Sequence, residues 1–282
     1  MSYKNLGPLY ILIAALLWSL AGLGIKYIAW HPLSIACVRG TFAALTIIVL
    51  RRKAVMKLTR ATIITALCMN ATIIMFMFAN KLTTAANAVV LQYTAPVYVI
   101  IFSMIILKTR PRLLEIVAVL MIFGGIALFF IDHFSKGVLL GDILALLSGV
   151  TFSGVFFFNT LPDANPSDAS VLGCSMLAVL IPFLFFDPQV ANGGAFPWIV
   201  AISLGVFQFG IAYYFFSKGI QSTGAVASSI ICTLEPIFNP IWVFLALGEK
   251  PGNLSIIGAV IVIATVCLYN VVNSFTDPSR AK

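Results

Sequence analysis

Apolar, charge-poor stretches of membrane-spanning length recur about ten times along this chain of 282 residues. A helix needs roughly 20 residues to cross a hydrocarbon core. In lipid the backbone finds no water, so each stretch must satisfy its own amides as a helix or join a closed barrel. Barrel strands alternate apolar and polar positions, and that period is absent. The sequence therefore predicts an all-α membrane protein with spans near 8–28, 33–50, 61–80, 84–107, 112–131, 138–159, 167–186, 197–217, 222–247 and 253–274. Its 61% hydrophobic and 9% charged residues and mean hydropathy of +1.07 agree, since a soluble domain carries roughly 25% charged residues.

A gapless internal match narrows the architecture. Residues 79–129 align with 219–269 at a constant offset of 140, pairing Thr83 with Thr223, Ala85 with Ala225, Pro96 with Pro236, Pro111 with Pro251 and Leu128 with Leu268. Ala15-Leu16-Leu17 recurs as Ala145-Leu146-Leu147 and Gly24 as Gly154 at offset 130, and Pro32 matches Pro166 at offset 134. The chain thus reads as two five-span halves, 1–135 and 136–282. An odd number of spans per half makes the second copy enter the membrane inverted. Inverted repeats are a recurrent transporter design, because equivalent halves facing opposite ways give inward-open and outward-open states of similar energy. A duplication that merely builds a stable bundle is the alternative.

The cationic residues fix an orientation. Arg51, Arg52, Lys53, Lys57, Arg60, Lys108, Arg110, Arg112, Lys4, Lys218, Arg280 and Lys282 fall on one side, against Lys26, Lys81, Lys136 and Lys250 on the other, a split of 12 to 4 with Arg39 inside a span. This follows the positive-inside rule and puts both termini in the cytoplasm of a cell membrane, expected to be a bacterial inner membrane crossed many times. The net charge of +8 belongs to orienting loops, which argues against a nucleic-acid partner. The apolar run after Lys4, at about 20 residues, is too long for a signal-peptide core, so the first span is expected to be retained.

At the matched centre the halves differ, Ala95 in one and Glu235 in the other. A charge deep in a membrane helix costs about 2.5 to 3.5 kcal/mol on insertion scales and needs a partner or water. Glu235 lies 12 residues from the end of its span, roughly 18 Å deep at about 1.5 Å per residue. Pro236 and Pro240 follow it, so carbonyls on the preceding turn lose their amide partners. Such a weakened helix beside a carboxylate suits a cation or proton site, with Pro96 and Pro236 as gating positions. Ser228, Cys232, Glu235 and Asn239 recur at helical steps on one face, and Asn87, Leu91, Thr94 and Tyr98 repeat those steps with Gln92 and Tyr93 beside them. Trp18, Ser19, Met77, Phe156, Asn159, Gln208, Tyr213 and Tyr214 complete the candidate lining. Arg39, about six residues into the second span, is the candidate partner of Glu235, either as a gate on the outer side or as a static structural bridge. Interhelical hydrogen bonding is the competing account for the Ser, Asn and Gln side chains, and simple packing for the aromatic ones.

Thr223-Gly224-Ala225-Val226-Ala227-Ser228, Leu234-Glu235-Pro236, Leu247-Gly248-Glu249-Lys250-Pro251 and Ile257-Gly258 resemble the second repeat of EamA-type permeases of the drug/metabolite transporter superfamily. Thr84-Ala85-Ala86-Asn87-Ala88, Ala95-Pro96, Pro111 and Gly124-Gly125 resemble the first, and Val38-Arg39-Gly40-Thr41-Phe42 is similar to the family's arginine-plus-aromatic pattern. The chain departs from the family at Thr109, where glutamate is common, and at Gly173, where an arginine could face Arg39. The resemblance covers nearly the whole chain. It implies ten helices in two repeats and export or exchange of small metabolites.

Other function classes lack residues to support them. No nucleotide-binding loop is present, so the chain does not energise itself with nucleotide. Asp132-His133 is the one intimate acid and histidine pair, and no nucleophile has a neighbouring base, which argues against an enzyme. Cys37, Cys68, Cys174, Cys232 and Cys267 lack metal-ligand spacing and read as packing residues; no cofactor is expected. The sequence thus points to a secondary transporter of a small metabolite, such as an amino acid or amine, with protons as candidate coupling ions and a monomeric or homodimeric state. A passive exchanger, a drug or cation exporter, a channel and a non-transporting subunit are the alternatives.

Overall fold

The computed structural model describes residues 6–20, 24, 27–52, 55–83, 85–129, 139–247 and 253–276. No strand occurs among them. The helices are α1 (Gly7–Trp18), α2 (Pro32–Arg51), α3 (Arg60–Leu82), α4 (Ala85–Gln92), α5 (Ala95–Ile106), α6 (Leu113–Phe129), α7 (Leu139–Phe158) and α8 (Pro166–Met176). A 3-10 turn (Leu177–Leu180) leads into α9 (Pro182–Phe186) and α10 (Pro188–Asn192), followed by α11 (Ala195–Ser203) and a π-helical segment (Leu204–Ile211). The chain ends with α12 (Ala212–Thr223), α13 (Ala225–Cys232), α14 (Glu235–Leu247) and α15 (Asn253–Thr276). Among the described residues, seven helical stretches are long and apolar enough to cross a membrane, and three shorter apolar helices, Gly7–Trp18, Leu113–Leu128 and Ala225–Phe238, accompany them. Within the expected span 8–28, α1 ends at Trp18 and Gly24 is helical, while residues 21–23 and 25–26 lie outside the described residues. Asp132, His133, Lys136 and Lys250 lie outside the described residues.

Prolines and glycines shape the packing. Pro32, Pro166 and Pro188 each open a helix, where a missing amide costs nothing. Within the matched spans, Pro96 and Pro236 instead deprive Gln92 and Cys232 of the amide that would have met their carbonyls. The result is a pair of interruptions, at Tyr93–Thr94 and Thr233–Leu234, 140 residues apart. Their hydrogen bonds correspond. Thr94 N–H donates to Leu91 C=O at 3.3 Å and Leu234 N–H to Ile231 C=O at 3.1 Å, while Val97 N–H reaches Thr94 C=O at 2.9 Å and Ile237 N–H reaches Leu234 C=O at 3.1 Å. Both interruptions thus tighten into i→i+3 geometry. The expected single face carrying Ser228, Cys232, Glu235 and Asn239 is consequently split between two helices, because Pro236 ends the regular ladder between the second and third of these residues.

Neighbouring helices pair closely. α3 lies along α7, α6 along α15, α1 along α12, and α2 against both α8 and the π segment; α3 also meets α8, α4 and α5 pack on α7, and α13 packs on α1. Phe156, Phe157, Phe216 and Tyr269 are fully buried between them, whereas Leu120, Leu139, Phe185 and Phe186 stand exposed. An outer surface this apolar is what lipid contact requires.

Candidate functional site

The π segment and α2 build one wall of the centre. A Cβ at Gly205 would stand 2.9 Å from Phe42 Cβ and 3.0 Å from the Arg39 carbonyl oxygen, so only glycine lets the two backbones meet there. π-helical turns are uncommon and concentrate at functional positions. Here the turn carries Gln208 and Phe209 to Arg39. The Arg39 guanidinium donates through Nη2 to Gln208 Oε1 at 2.6 Å and lies 4.9 Å from the Phe209 ring centroid. Gln208 Nε2 in turn donates to the Trp18 carbonyl at 3.1 Å, which ties the end of α1 into the same network. Ser19 Oγ donates to Leu16 C=O at 2.6 Å and accepts from Trp242 Nε1 at 2.7 Å, adding α14.

The interruptions build the other wall. Glu235 is the first residue of α14, so the break creates a helix N-terminus within the bundle, where partial positive charge favours a carboxylate. Its hydrogen-bond partner is Tyr93, from the other interruption. Cys232 and Tyr213 lie within electrostatic range of the same carboxylate, as does Arg39. Arg39 hydrogen-bonds to Gln208, and among the described residues its interaction with Glu235 is one of charge at longer range and not a direct ion pair. The π turn sets the amide oxygen within direct reach of the guanidinium, and Tyr93 serves the carboxylate.

Aromatic rings join the two walls. Trp18 meets Tyr213 at 5.0 Å, Phe216 at 5.3 Å and Phe152 at 6.5 Å between centroids; Phe152 meets Tyr93 at 6.3 Å, and Phe209 meets Tyr213 at 4.9 Å. Arg39 Nε, Trp18 Nε1 and Ser228 Oγ are buried without a hydrogen-bond partner among the described residues. Buried donors of this kind call for an explanation in a native protein.

Of the candidate residues, Trp18, Ser19, Arg39, Tyr93, Gln208, Tyr213, Cys232 and Glu235 therefore share one centre. Gln92 and Ser228 are buried nearby along the interrupted helices, and Thr94 Oγ1 bonds back to Leu91 C=O at 2.6 Å. Pro96 and Pro236 are buried at the breaks, and Tyr98 is half-buried on α5. Met77 sits apart, lining a shallow groove of about 10 Å³ with His31, Pro32, Leu33 and Phe78. Tyr214 faces away, its ring 4.3 Å from the Lys218 ammonium. Asn87 and Asn239 fall on helical backbone, but their side chains lie outside the described residues. Asn159 bonds its own helix at Val155 C=O, 2.9 Å away.

Phe209, Phe152, Phe216 and Trp242 belong to the centre without having been singled out in the sequence, where nothing separates them from lipid-facing aromatics. The glycine pair Gly205 and Gly210 was the available signal, since close approach of α2 needs both. At Gly173 a Cβ would lie 2.8 Å from Met69 Sδ, the flexible end of that side chain, and the Gly173 carbonyl accepts from Asn70 Nδ2 at 3.0 Å.

The EamA-like transporter family matches this chain over residues 5–131 and 139–271. An uncharacterized transporter of Archaeoglobus fulgidus is 24% identical over 266 residues, covering 93% of this chain and 95% of its own length. The uncharacterized inner membrane transporter YicL of Salmonella typhimurium is 26% identical over 293 residues, covering 92% and 95%. A solved crystal structure superposes with a TM-score of 0.81 over 95% of this chain and 98% of its own, at 18% identity, which is a likeness of fold.

Proposed function

This chain belongs to the EamA-like transporter family, and from that premise we propose that it is a secondary carrier moving a small metabolite, such as an amino acid or amine, by alternating access. The reading takes ten spans in two inverted halves, 1–135 and 136–282, with both termini cytoplasmic, in a monomer or homodimer. In chain order the spans are α1, α2, α3, α4 with α5, α6, α7, α8 with α9, α11 with α12, α13 with α14, and α15. Their packing supports the two-fold relation. Exchanging the halves carries the pairing of span three with six onto eight with one, four with six onto nine with one, and two with eight onto seven with three. The pairings of two with seven and of five with ten map onto themselves.

The observation that carries the proposal is the pair of interruptions 140 residues apart, one supplying Tyr93 and the other Glu235 to the same point. In this reading Glu235 takes a proton on one side and exchanges it for substrate on the other. Trp18, Tyr213 and Phe209 face the substrate, and the buried Arg39 and Trp18 donors bind its polar groups. Alternating access needs a site that both halves share, and this one draws on α1, α2 and both interrupted spans.

The test is transport in proteoliposomes of a solute found by thermal-shift screening, since a ligand that binds the native state raises its apparent stability. A Glu235→Gln variant loses gradient-driven accumulation and retains exchange. Unchanged pH dependence in that variant would remove proton coupling from the reading and leave a passive exchanger, in which Glu235 holds the interrupted helices together through Tyr93.

A further inference from the structure

Span seven is joined to α2 at both ends by buried aspartates. At one end Asp187, following α9, accepts from His31 N–H at 2.6 Å and lies 2.9 Å from Ser34 Oγ, both at the start of α2. At the other end Asp168, in the first turn of α8, pairs with Arg51 at the close of α2 and accepts from Lys57 N–H at 2.9 Å. The aspartates are 7% and 1% exposed. About 30 Å of helix separates the two ends of α2.

Between them the helices touch without slack. A Cβ at Gly40 would stand 2.6 Å from Leu177 Cβ and 2.8 Å from the Cys174 carbonyl oxygen. Span seven changes its winding at this contact, α8 passing into the 3-10 turn Leu177–Leu180. Arg39 of the central site is the residue next to Gly40. A tight contact in the middle with a polar tie at each end is the geometry of a rocker: tilting about the middle breaks one tie and keeps the other.

We propose that Asp187 with His31 and Ser34, and Asp168 with Arg51, are two latches released in turn during transport, with Gly40 against Leu177 as their pivot. The proposal rests on the alternating-access reading given above. Both latches are closed here, which is the arrangement of an occluded state. Opening the Arg51 end separates a buried ion pair, and an uncompensated buried charge is strongly disfavoured. That end therefore parts only as water enters. Because Arg39 adjoins the pivot, tilt also displaces its bond to Gln208, linking the latches to the site.

The experiment is a pair of distance measurements by electron paramagnetic resonance on the full chain in nanodiscs. Spin labels at Ala29 and Gln189 report one end, and labels at Leu50 and Pro162 report the other, in a Cys267→Ala background that removes the exposed thiol. Asp168→Asn raises the long-distance population at the Arg51 end about tenfold, the scale of one lost charge-assisted hydrogen bond, and leaves the His31 end unchanged. Asp187→Asn does the reverse, and Ser34→Ala is its milder companion. Lengthening of both ends in either variant, or of neither end in both, overturns the latches. If the reciprocal response is seen but no solute shows counterflow, the transporter reading fails and the latches stand.

Discussion

Arg39 donates to Gln208 Oε1 at 2.6 Å across the contact between α2 and the π segment. A buried guanidinium held by one amide depends on that amide. Gln208→Leu therefore destabilises the protein by about 1.5 to 3 kcal/mol, the range for hydrogen bonds to charged groups. Thermal unfolding in detergent measures the loss. Arg39→Gln is the milder change for folding, because it removes the charge together with its need. Its transport is expected to vanish, and full activity would remove Arg39 from the gating role.

Gly205 and Gly124 make a matched test of close packing. A methyl group at Gly205 meets Phe42 Cβ at 2.9 Å and the Arg39 backbone, whereas nothing lies within 4 Å of one at Gly124. Gly205→Ala costs about 1 to 3 kcal/mol, the range for overpacking, and lowers the melting temperature. Gly124→Ala leaves it unchanged or slightly higher, since alanine favours helix over glycine by about 1 kcal/mol.

The Asp187 carboxyl carries a pH dependence of known sign. Burial raises it, but hydrogen bonds from His31 N–H, Ser34 and Gln189 N–H, together with nearby His31, outweigh this and hold it below its ordinary value of 3.8. A carboxyl lowered on folding stabilises the protein above its unfolded value, about 3.9, and loses that contribution as pH falls through the folded value. Asp187→Asn therefore lowers the melting temperature by a constant amount between about pH 5 and pH 7. The gap from the unmodified protein closes below about pH 4.

Pro236→Ala returns an amide to the chain opposite the Cys232 carbonyl, allowing the ladder to close. The variant is expected to melt no lower than the parent and to exchange substrate several-fold more slowly. Faster exchange would show that the break is not needed for movement. Pro96→Ala tests the matching break in the same way.

The interruptions were legible in the sequence because proline acts locally, through its own missing amide and ring. Glu235 stood out by type and depth, whereas Tyr213 and Tyr214 were candidates on equal terms. The π segment was not legible, since an i→i+5 turn leaves no apolar period of its own, and the phase it sets decides that Tyr213 enters the centre while the adjacent Tyr214 meets Lys218. The ties of Asp168 and Asp187 to α2 join residues 117 and 156 apart in sequence. Such pairing depends on which spans become neighbours, and span composition leaves that open. The same gap explains Arg39, whose depth is similar to that of several possible partners and whose choice of Gln208 follows from the turn that delivers it.

The rings from Tyr93 through Phe152 and Trp18 to Tyr213 and Phe209 touch in an unbroken series across the bundle. A cell membrane stores energy as a voltage, and any conduit that let ions slip through unaccompanied would discharge it. Rings packed edge to face fill the gaps between them with apolar carbon, a poor substitute for an ion's hydration water. On the alternating-access reading proposed above, the series would part to admit cargo and close again behind it, and the speed of that exchange would limit how fast a carrier works without short-circuiting its membrane.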